Sequence, residues 1–115
     1  MNVLPEILVL DHQRDMLWVM PQFITRVELY EANGEDYLGL HTAMDSRGFK
    51  RTIVLEDDSV CMLPTAEYLL LSSSLTTQQV LSEAQSAART VSSSFGVVAV
   101  QIAEAPWVSG LKPAR

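Results

Sequence analysis

His41 and a basic cluster beyond it carry the side chains of this sequence that are best suited to acid–base chemistry and anion binding. An imidazole can accept or donate a proton near neutral pH, so His41 is the first candidate for proton transfer. Arg47, Lys50 and Arg51 follow within ten positions. Guanidinium and ammonium groups so close together can hold one or two phosphate groups. A solvated helix end carrying the same charges is the alternative interpretation of this cluster.

Arg26 and Glu28 form a second polar pair, in a stretch of alternating apolar and polar residues. If this stretch is a strand, both side chains point to the same face, away from the core. A cross-strand ion pair is one interpretation, and a phosphate contact by Arg26 on an open face is the other. Glu67, on a later strand that should neighbour the first, can join them.

The spacing of apolar residues predicts the elements that position these groups. Period-two alternation indicates strands, and apolar residues three and four apart indicate helices. A helix over Glu35–Arg47 puts His41 in the apolar stripe between Tyr37 and Met44, where a half-buried histidine hydrogen-bonded to the sheet is the alternative to a catalytic one. Strands are predicted over Phe23–Glu31, Lys50–Leu55 with a short continuation at Val60–Leu63, Ala66–Leu71 and Phe95–Ala103, and a second helix after Thr76.

The element order predicts an α+β domain of the ferredoxin-like βαββαβ type. It is an antiparallel sheet with two helices on one face and the strands in the order fourth, first, third, second. A simple α+β meander of the same elements is the alternative. Residues 23–115 form this domain, and residues 1–22 form an N-terminal extension, a possible hairpin, whose many apolar side chains must dock on the domain or on another chain.

Local signals mark the helix ends. Asn33 and Thr76 are predicted N-caps; three positions later, the carboxylate of Asp36 suits the positive end of a helix, and Gln79 completes the spacing of a capping box. Gly48 stands where the first helix must turn back to the sheet, a position that favours a left-handed residue.

Composition bounds the function. The chain has 115 residues and a formal net charge of −6, so it has no general attraction for nucleic acid, and any RNA contact must be local. Its single cysteine, Cys61, excludes a disulfide framework and a CxxC metal site. Its apolar runs are far too short to span a bilayer. We therefore expect a cytoplasmic protein.

Several short motifs occur in an order that resembles the GhoS endoribonuclease-antitoxin family. They lie at Arg26–Leu29, at Leu40–Met44 (LHTAM), at Gly48–Ile53 (GFKRTI) and at Leu63–Tyr68 (LPTAEY). The resemblance covers about residues 24–111. It implies a ferredoxin-like fold similar to that of the small nuclease of CRISPR adaptation. It also implies an antitoxin-type activity, the cleavage of single-stranded messenger RNA of a toxin that is a small membrane protein.

The resemblance directs the choice of site residues. Metal-free RNA cleavage needs a base for the 2′-hydroxyl, an acid for the leaving oxygen and a cation for the phosphate. The acidic turn at 56–58 is interpreted as solvated, and no metal or cofactor is expected. The candidate catalytic residues are His41, Arg51 and Glu28, and the candidate RNA-binding residues are Arg26, Arg47 and Lys50.

A non-catalytic protein-interaction module is the alternative function, of the kind that phage or prophage genes encode. Two observations favour it, the acidic charge of the chain and the lack of a convincing catalytic set. We expect a homodimer under either interpretation, because ferredoxin-like domains often pair through a sheet edge or an open sheet face. We expect no membrane partner.

Overall fold

The computed structural model describes residues 20–114, and the proposed N-terminal extension therefore lies outside the described residues up to position 19. The described chain is an α+β domain with an antiparallel sheet and a pair of helices. Within this part of the chain, no helix is long and apolar enough to cross a membrane. The elements are β1 (Gln22–Leu29), α1 (Gly34–Asp45), β2 (Thr52–Val54), β3 (Val60–Met62), β4 (Glu67–Leu71), α2 (Thr77–Arg89) and β5 (Phe95–Gln101).

Both helices begin at the predicted caps. The Asp36 backbone N–H donates to the Asn33 side chain at 2.9 Å, and the Asn33 N–H donates back to the Asp36 carboxylate at 3.1 Å. Thr76 and Gln79 make the same reciprocal pair at the start of α2. Each cap satisfies two backbone donors that the helix leaves unpaired, which explains why the helices start here.

Gly48 reverses the chain between α1 and the sheet. Its φ of +90° is left-handed, a conformation that side chains rarely adopt. Helix α1 ends at Asp45, slightly earlier than predicted, and the Phe49 N–H then donates to the Met44 carbonyl at 3.1 Å. The turn places Lys50 and Arg51 beside the sheet.

The sheet differs from the predicted order. Within residues 20–114 it has three strands, in the order β4-β1-β5, and β2 pairs with β3 in a separate hairpin instead of joining the sheet beside β4. The turn at 56–59 closes β2 on β3. The Leu55 N–H donates to the Ser59 carbonyl at 2.9 Å. Only Lys50, before β2, bridges to Leu69 of β4.

The helices cover one face of the sheet, which we call the helix side. Alternate residues of β1, from Phe23 to Leu29, point to this side and are buried there. Three alanines of α2 let that helix lie close to the strands. The buried cluster of the helix side consists of Phe23, Val27, Leu29, Leu40, Met44, Phe49, Tyr68, Leu70, Val80, Ala84, Ala87 and Ala88.

Residues 20–114 cover the opposite face, which we call the open side, only in part. The hairpin and the C-terminal segment pack there around a small buried cluster of Ile53, Leu63 and Leu69. The rest of this face carries Val98 and Val100 of β5, which are 60% and 50% exposed. The domain therefore has a closed side and a partly open side.

Candidate functional site

His41 of α1 and Tyr68 of β4 make a direct hydrogen bond on the helix side. The His41 Nδ1 and Tyr68 Oη atoms lie 2.6 Å apart, and the rings meet edge to face with centroids 5.7 Å apart. Tyr68 is completely buried, so its hydroxyl needs a partner inside the protein. The contact orients the imidazole through Nδ1. The Nε2 atom makes no hydrogen bond within residues 20–114.

The surroundings of this pair favour the uncharged form of His41 and the protonated form of Tyr68. Partial burial, and then the nearby charge of Arg51, lower the pKa of His41 below its ordinary value. Burial raises the pKa of Tyr68 to about 12, against a smaller opposite effect of Arg51. At neutral pH the pair is therefore a neutral imidazole held by a phenol. A neutral imidazole can accept a proton.

Arg51 lies beside the pair and borders the same cleft. The cleft has a volume of about 380 Å³ and is lined by His41, Thr42, Asp45, Phe49 and Arg51. The Nε atom of Arg51 is buried and has no hydrogen-bond partner within the described residues. The residue borders the cleft, and within residues 20–114 no carboxylate pairs with it, so this cation is suited to bind an anion there. The structure thus brings the candidates His41 and Arg51 together.

Three other predicted cations are engaged in ion pairs. In each pair an amino or guanidinium nitrogen faces one carboxylate oxygen, and the side chains are at least partly exposed. Exposed pairs of this kind contribute little, about 0–1 kcal/mol, so a phosphate can replace the carboxylate at small cost. The pairs are Arg47 with Glu83 at 2.9 Å, Lys50 with Asp45 at 2.7 Å and Arg26 with Glu67 at 3.4 Å.

Glu28 and Arg26 are not part of this cleft. Both lie between buried residues of β1, so the alternation of the strand turns them to the open side. His41 and Tyr68 lie on the helix side. The sheet itself separates Glu28 from His41, so the predicted catalytic set does not assemble as a whole.

Sequence reasoning missed Tyr68 as a functional residue. Its signal was a tyrosine within the apolar run of β4, because a phenol placed in a buried strand must find a hydrogen-bond partner. Asp45, Thr42 and Phe49 were also missed. They line the cleft because α1 and the turn at Gly48 converge there, which residue spacing alone does not show.

The acidic turn is solvated, as predicted. Asp57 is exposed and accepts hydrogen bonds from the Ser59 side chain and backbone at 2.5 and 3.0 Å. These bonds lower the pKa of Asp57. Within residues 20–114, no group of three or more His, Cys, Asp or Glu side chains is arranged to hold a metal ion.

Comparison of the chain with protein-family models, with curated proteins and with solved structures found no match. A proposal about function must therefore start from the residues around His41 and from the motifs of the sequence.

Proposed function

We propose that this chain is a GhoS-like, antitoxin-type endoribonuclease that cleaves single-stranded messenger RNA. The observation that carries the proposal is the His41–Tyr68 hydrogen bond beside Arg51, which borders the same cleft and has no carboxylate partner within the described residues. A proton acceptor and an anion-binding group next to each other are the minimum for phosphodiester cleavage. We further propose the ferredoxin-like class for the domain, with the β2–β3 hairpin as an elaborated second strand.

His41 acts as the general base in this proposal. The scheme requires the tautomer of His41 in which Nδ1–H donates to the Tyr68 oxygen, because this leaves the Nε2 lone pair to take the proton of a ribose 2′-hydroxyl. The 2′-oxygen then bonds to the adjacent phosphorus while the bond from phosphorus to the 5′-oxygen breaks. The products are a 2′,3′-cyclic phosphate and a 5′-hydroxyl.

Arg51 binds the reacting phosphate and stabilises the charge that develops on it. Lys50 precedes it in the chain and is held by Asp45, a residue of the cleft, at 2.7 Å. We assign to Lys50 the proton that the leaving 5′-oxygen takes up. Glu28 has no role in this scheme, because it lies on the other face of the sheet.

Single-stranded RNA fits the cleft better than a duplex does. The net charge of −6 opposes broad contact with a phosphate backbone. A flexible single strand can present one phosphate to Arg51 without bringing many others near the acidic surface. We expect weak binding and slow turnover in the absence of a preferred sequence.

Cleavage of a mixed single-stranded RNA pool tests the proposal. The full chain is incubated with the pool in EDTA and in Mg²⁺, and the product ends are identified by mass spectrometry. We expect 2′,3′-cyclic phosphates under both conditions. His41→Ala should lower the rate by about 10²–10⁴-fold, and Arg51→Ala by about 10²–10³-fold.

Arg89→Gln is the matched control, because it removes an exposed cation that does not border the cleft. Its rate should equal that of the unmodified chain. Cleavage that survives in His41→Ala, or that requires Mg²⁺, would contradict the proposal. A substrate with a single ribose placed among deoxynucleotides should be cut only after that ribose.

The open side favours a second candidate function, a non-catalytic protein-interaction module. Val98, Val100 and Tyr30 are each at least half exposed on or next to β5. Within the described residues, β5 pairs with β1 along one edge only. An apolar face beside an unpaired strand edge is a common place for protein contact.

We propose a homodimer as the first such contact. Light scattering of the full chain should then give about twice the chain mass of 12.8 kDa. Replacing Val98 and Val100 by glutamate should return the monomer mass if the contact uses β5. A wild-type mass of 12.8 kDa at micromolar concentration would exclude the homodimer.

A further inference from the structure

Arg51 borders a second cleft besides the one that contains His41. This cleft has a volume of about 410 Å³ and lies between the end of β3 and the C-terminal segment. Its walls are Arg51, Met62, Leu63, Pro64, Thr65, Gly110, Leu111 and Lys112. Arg51 therefore borders two clefts.

The second cleft carries two cations that no carboxylate of the described chain neutralises. Arg26, Arg47 and Lys50 are all in ion pairs. Arg51 and Lys112 are in none within residues 20–114. In a chain with a net charge of −6, a cleft with two unpaired cations is suited to an anion.

The backbone holds these two residues in place on either side of β3. The Leu63 N–H donates to the Arg51 carbonyl at 2.7 Å, and the Met62 N–H donates to the Lys112 carbonyl at 2.8 Å. Cys61 also bridges to Pro113. The cleft is therefore supported by paired backbone rather than by a free loop, which lowers the entropic cost of binding.

The walls between the cations suit a nucleotide rather than a bare phosphate. Met62, Leu63, Pro64 and Leu111 present apolar surface. Apolar side chains can lie against the face of a base, and a threonine hydroxyl, here that of Thr65, can bond to a sugar or base edge. The cleft therefore combines two cations, which suit phosphates, with apolar surface, which suits the face of a base.

We propose that this second cleft binds the nucleotide on the leaving side of the cleaved bond in single-stranded RNA. The reacting phosphate lies at Arg51, the ribose with the 2′-hydroxyl lies in the His41 cleft, and the following phosphate lies at Lys112. This assignment rests on the proposed ribonuclease function. It names the substrate groups on both sides of the cut.

Binding of uncleavable oligonucleotides tests the assignment apart from catalysis. The probes are 2′-O-methyl oligouridylates, a dinucleotide with one phosphodiester and a tetranucleotide with three, because they lack the attacking hydroxyl. Anisotropy is measured with the full chain and with the variants Lys112→Gln and Arg89→Gln. Both variants remove one exposed, unpaired cation, but Arg89 does not border the cleft.

Lys112→Gln should weaken tetranucleotide binding by about tenfold and reduce its salt slope by about 0.7. Dinucleotide binding should stay unchanged, and Arg89→Gln should leave both affinities unchanged. If the wild type cleaves RNA but Lys112→Gln and Arg89→Gln bind the tetranucleotide equally well, the assignment of the second cleft is wrong and the proposed catalysis stands. Selective loss in Lys112→Gln, in a chain that cleaves no RNA, would support the cleft and overturn the proposed catalysis. No binding of either probe to the wild type would overturn both.

Discussion

The two faces of the sheet differ in how completely they are covered. On the helix side, Val27, Leu40 and Ala84 are fully buried in one continuous cluster. On the open side, three of the described residues are buried in a common cluster, and Val98 and Val100 remain at least half exposed. Two helices close the first face, whereas a short hairpin and a terminal segment cover part of the second.

The candidate site lies where these two sides meet. Tyr68 belongs to the closed cluster, so its hydroxyl holds His41 against a rigid background. Arg51 lies between the turn at Gly48 and the hairpin, and it borders both clefts. In the proposed function, the closed side positions the imidazole through Tyr68, and Arg51 serves both of the clefts that receive RNA.

The largest expected effect tests whether the helix side carries the stability of the domain. Leu40→Ala should lower the free energy of unfolding by about 2–5 kcal/mol, because it opens a cavity in a closed cluster. Val98→Ala on the open side should change it by less than about 0.5 kcal/mol. Urea unfolding followed by circular dichroism measures both.

Leu38→Ala is the control on the same helix. It changes helix propensity by the same amount as Leu40→Ala, but Leu38 is 66% exposed. Its effect should be close to that of Val98→Ala. If Leu38→Ala and Leu40→Ala lower the free energy of unfolding by the same amount, burial on the helix side is not the source of stability.

A smaller effect tests the turn that joins the two sides. Gly48→Ala should lower the free energy of unfolding by about 1–3 kcal/mol, because φ is +90° and the new Cβ would lie 3.2 Å from the Leu70 Cδ1 atom. Gly34→Ala is the matched change, since its Cβ would meet nothing within 4 Å. Thermal unfolding compares them, and equal melting temperatures would contradict the strain assigned to Gly48.

Tyr68→Phe tests the positioning of His41 by the closed side. Loss of the hydrogen bond should cost about 1 kcal/mol of stability and lower kcat for RNA cleavage with little change in KM, because Tyr68 is buried and cannot touch RNA. Tyr30→Phe, at a half-exposed tyrosine, is the control for removal of a hydroxyl. An unchanged kcat in Tyr68→Phe would remove its positioning role.

The smallest effect is a pH dependence of stability that comes from His41. Its pKa is lowered in the folded chain, so the unfolded chain binds more protons between that value and about 6.5. The free energy of unfolding should therefore rise with pH through this window. The contribution of His41 is fully present above about pH 6.5 and is lost as the pH falls through the folded pKa. Urea unfolding at several pH values between 5 and 7 measures the slope of the unfolding free energy against pH. This slope should be shallower for His41→Gln than for the wild type. If the two chains gave equal slopes, the folded protein would not bury His41 in its neutral form.

Much of the local structure is readable from the sequence. The caps at Asn33 and Thr76 were predicted from residue types whose side chains bond to nearby backbone, and both are confirmed. The half-buried histidine bonded to the sheet, one of the interpretations of His41, is also confirmed in its contact with Tyr68. The caps depend on neighbours within a few positions and the half-burial of His41 on one helix face, so spacing predicts them, whereas the choice of Tyr68 as the partner of His41 depends on how the helix packs on the sheet.

Only the tertiary structure decided which polar groups meet. The alternation of β1 placed Glu28 on a face, but the packing of the helices decided that His41 lies on the other. In the described structure β2 pairs with β3 and not with β4, a choice between partners that residue spacing does not make. Backbone pairing of β3 with two segments far apart in sequence brings Arg51 and Lys112 to one cleft. Local propensity acts over a few residues, whereas these groups meet only through long-range pairing and packing.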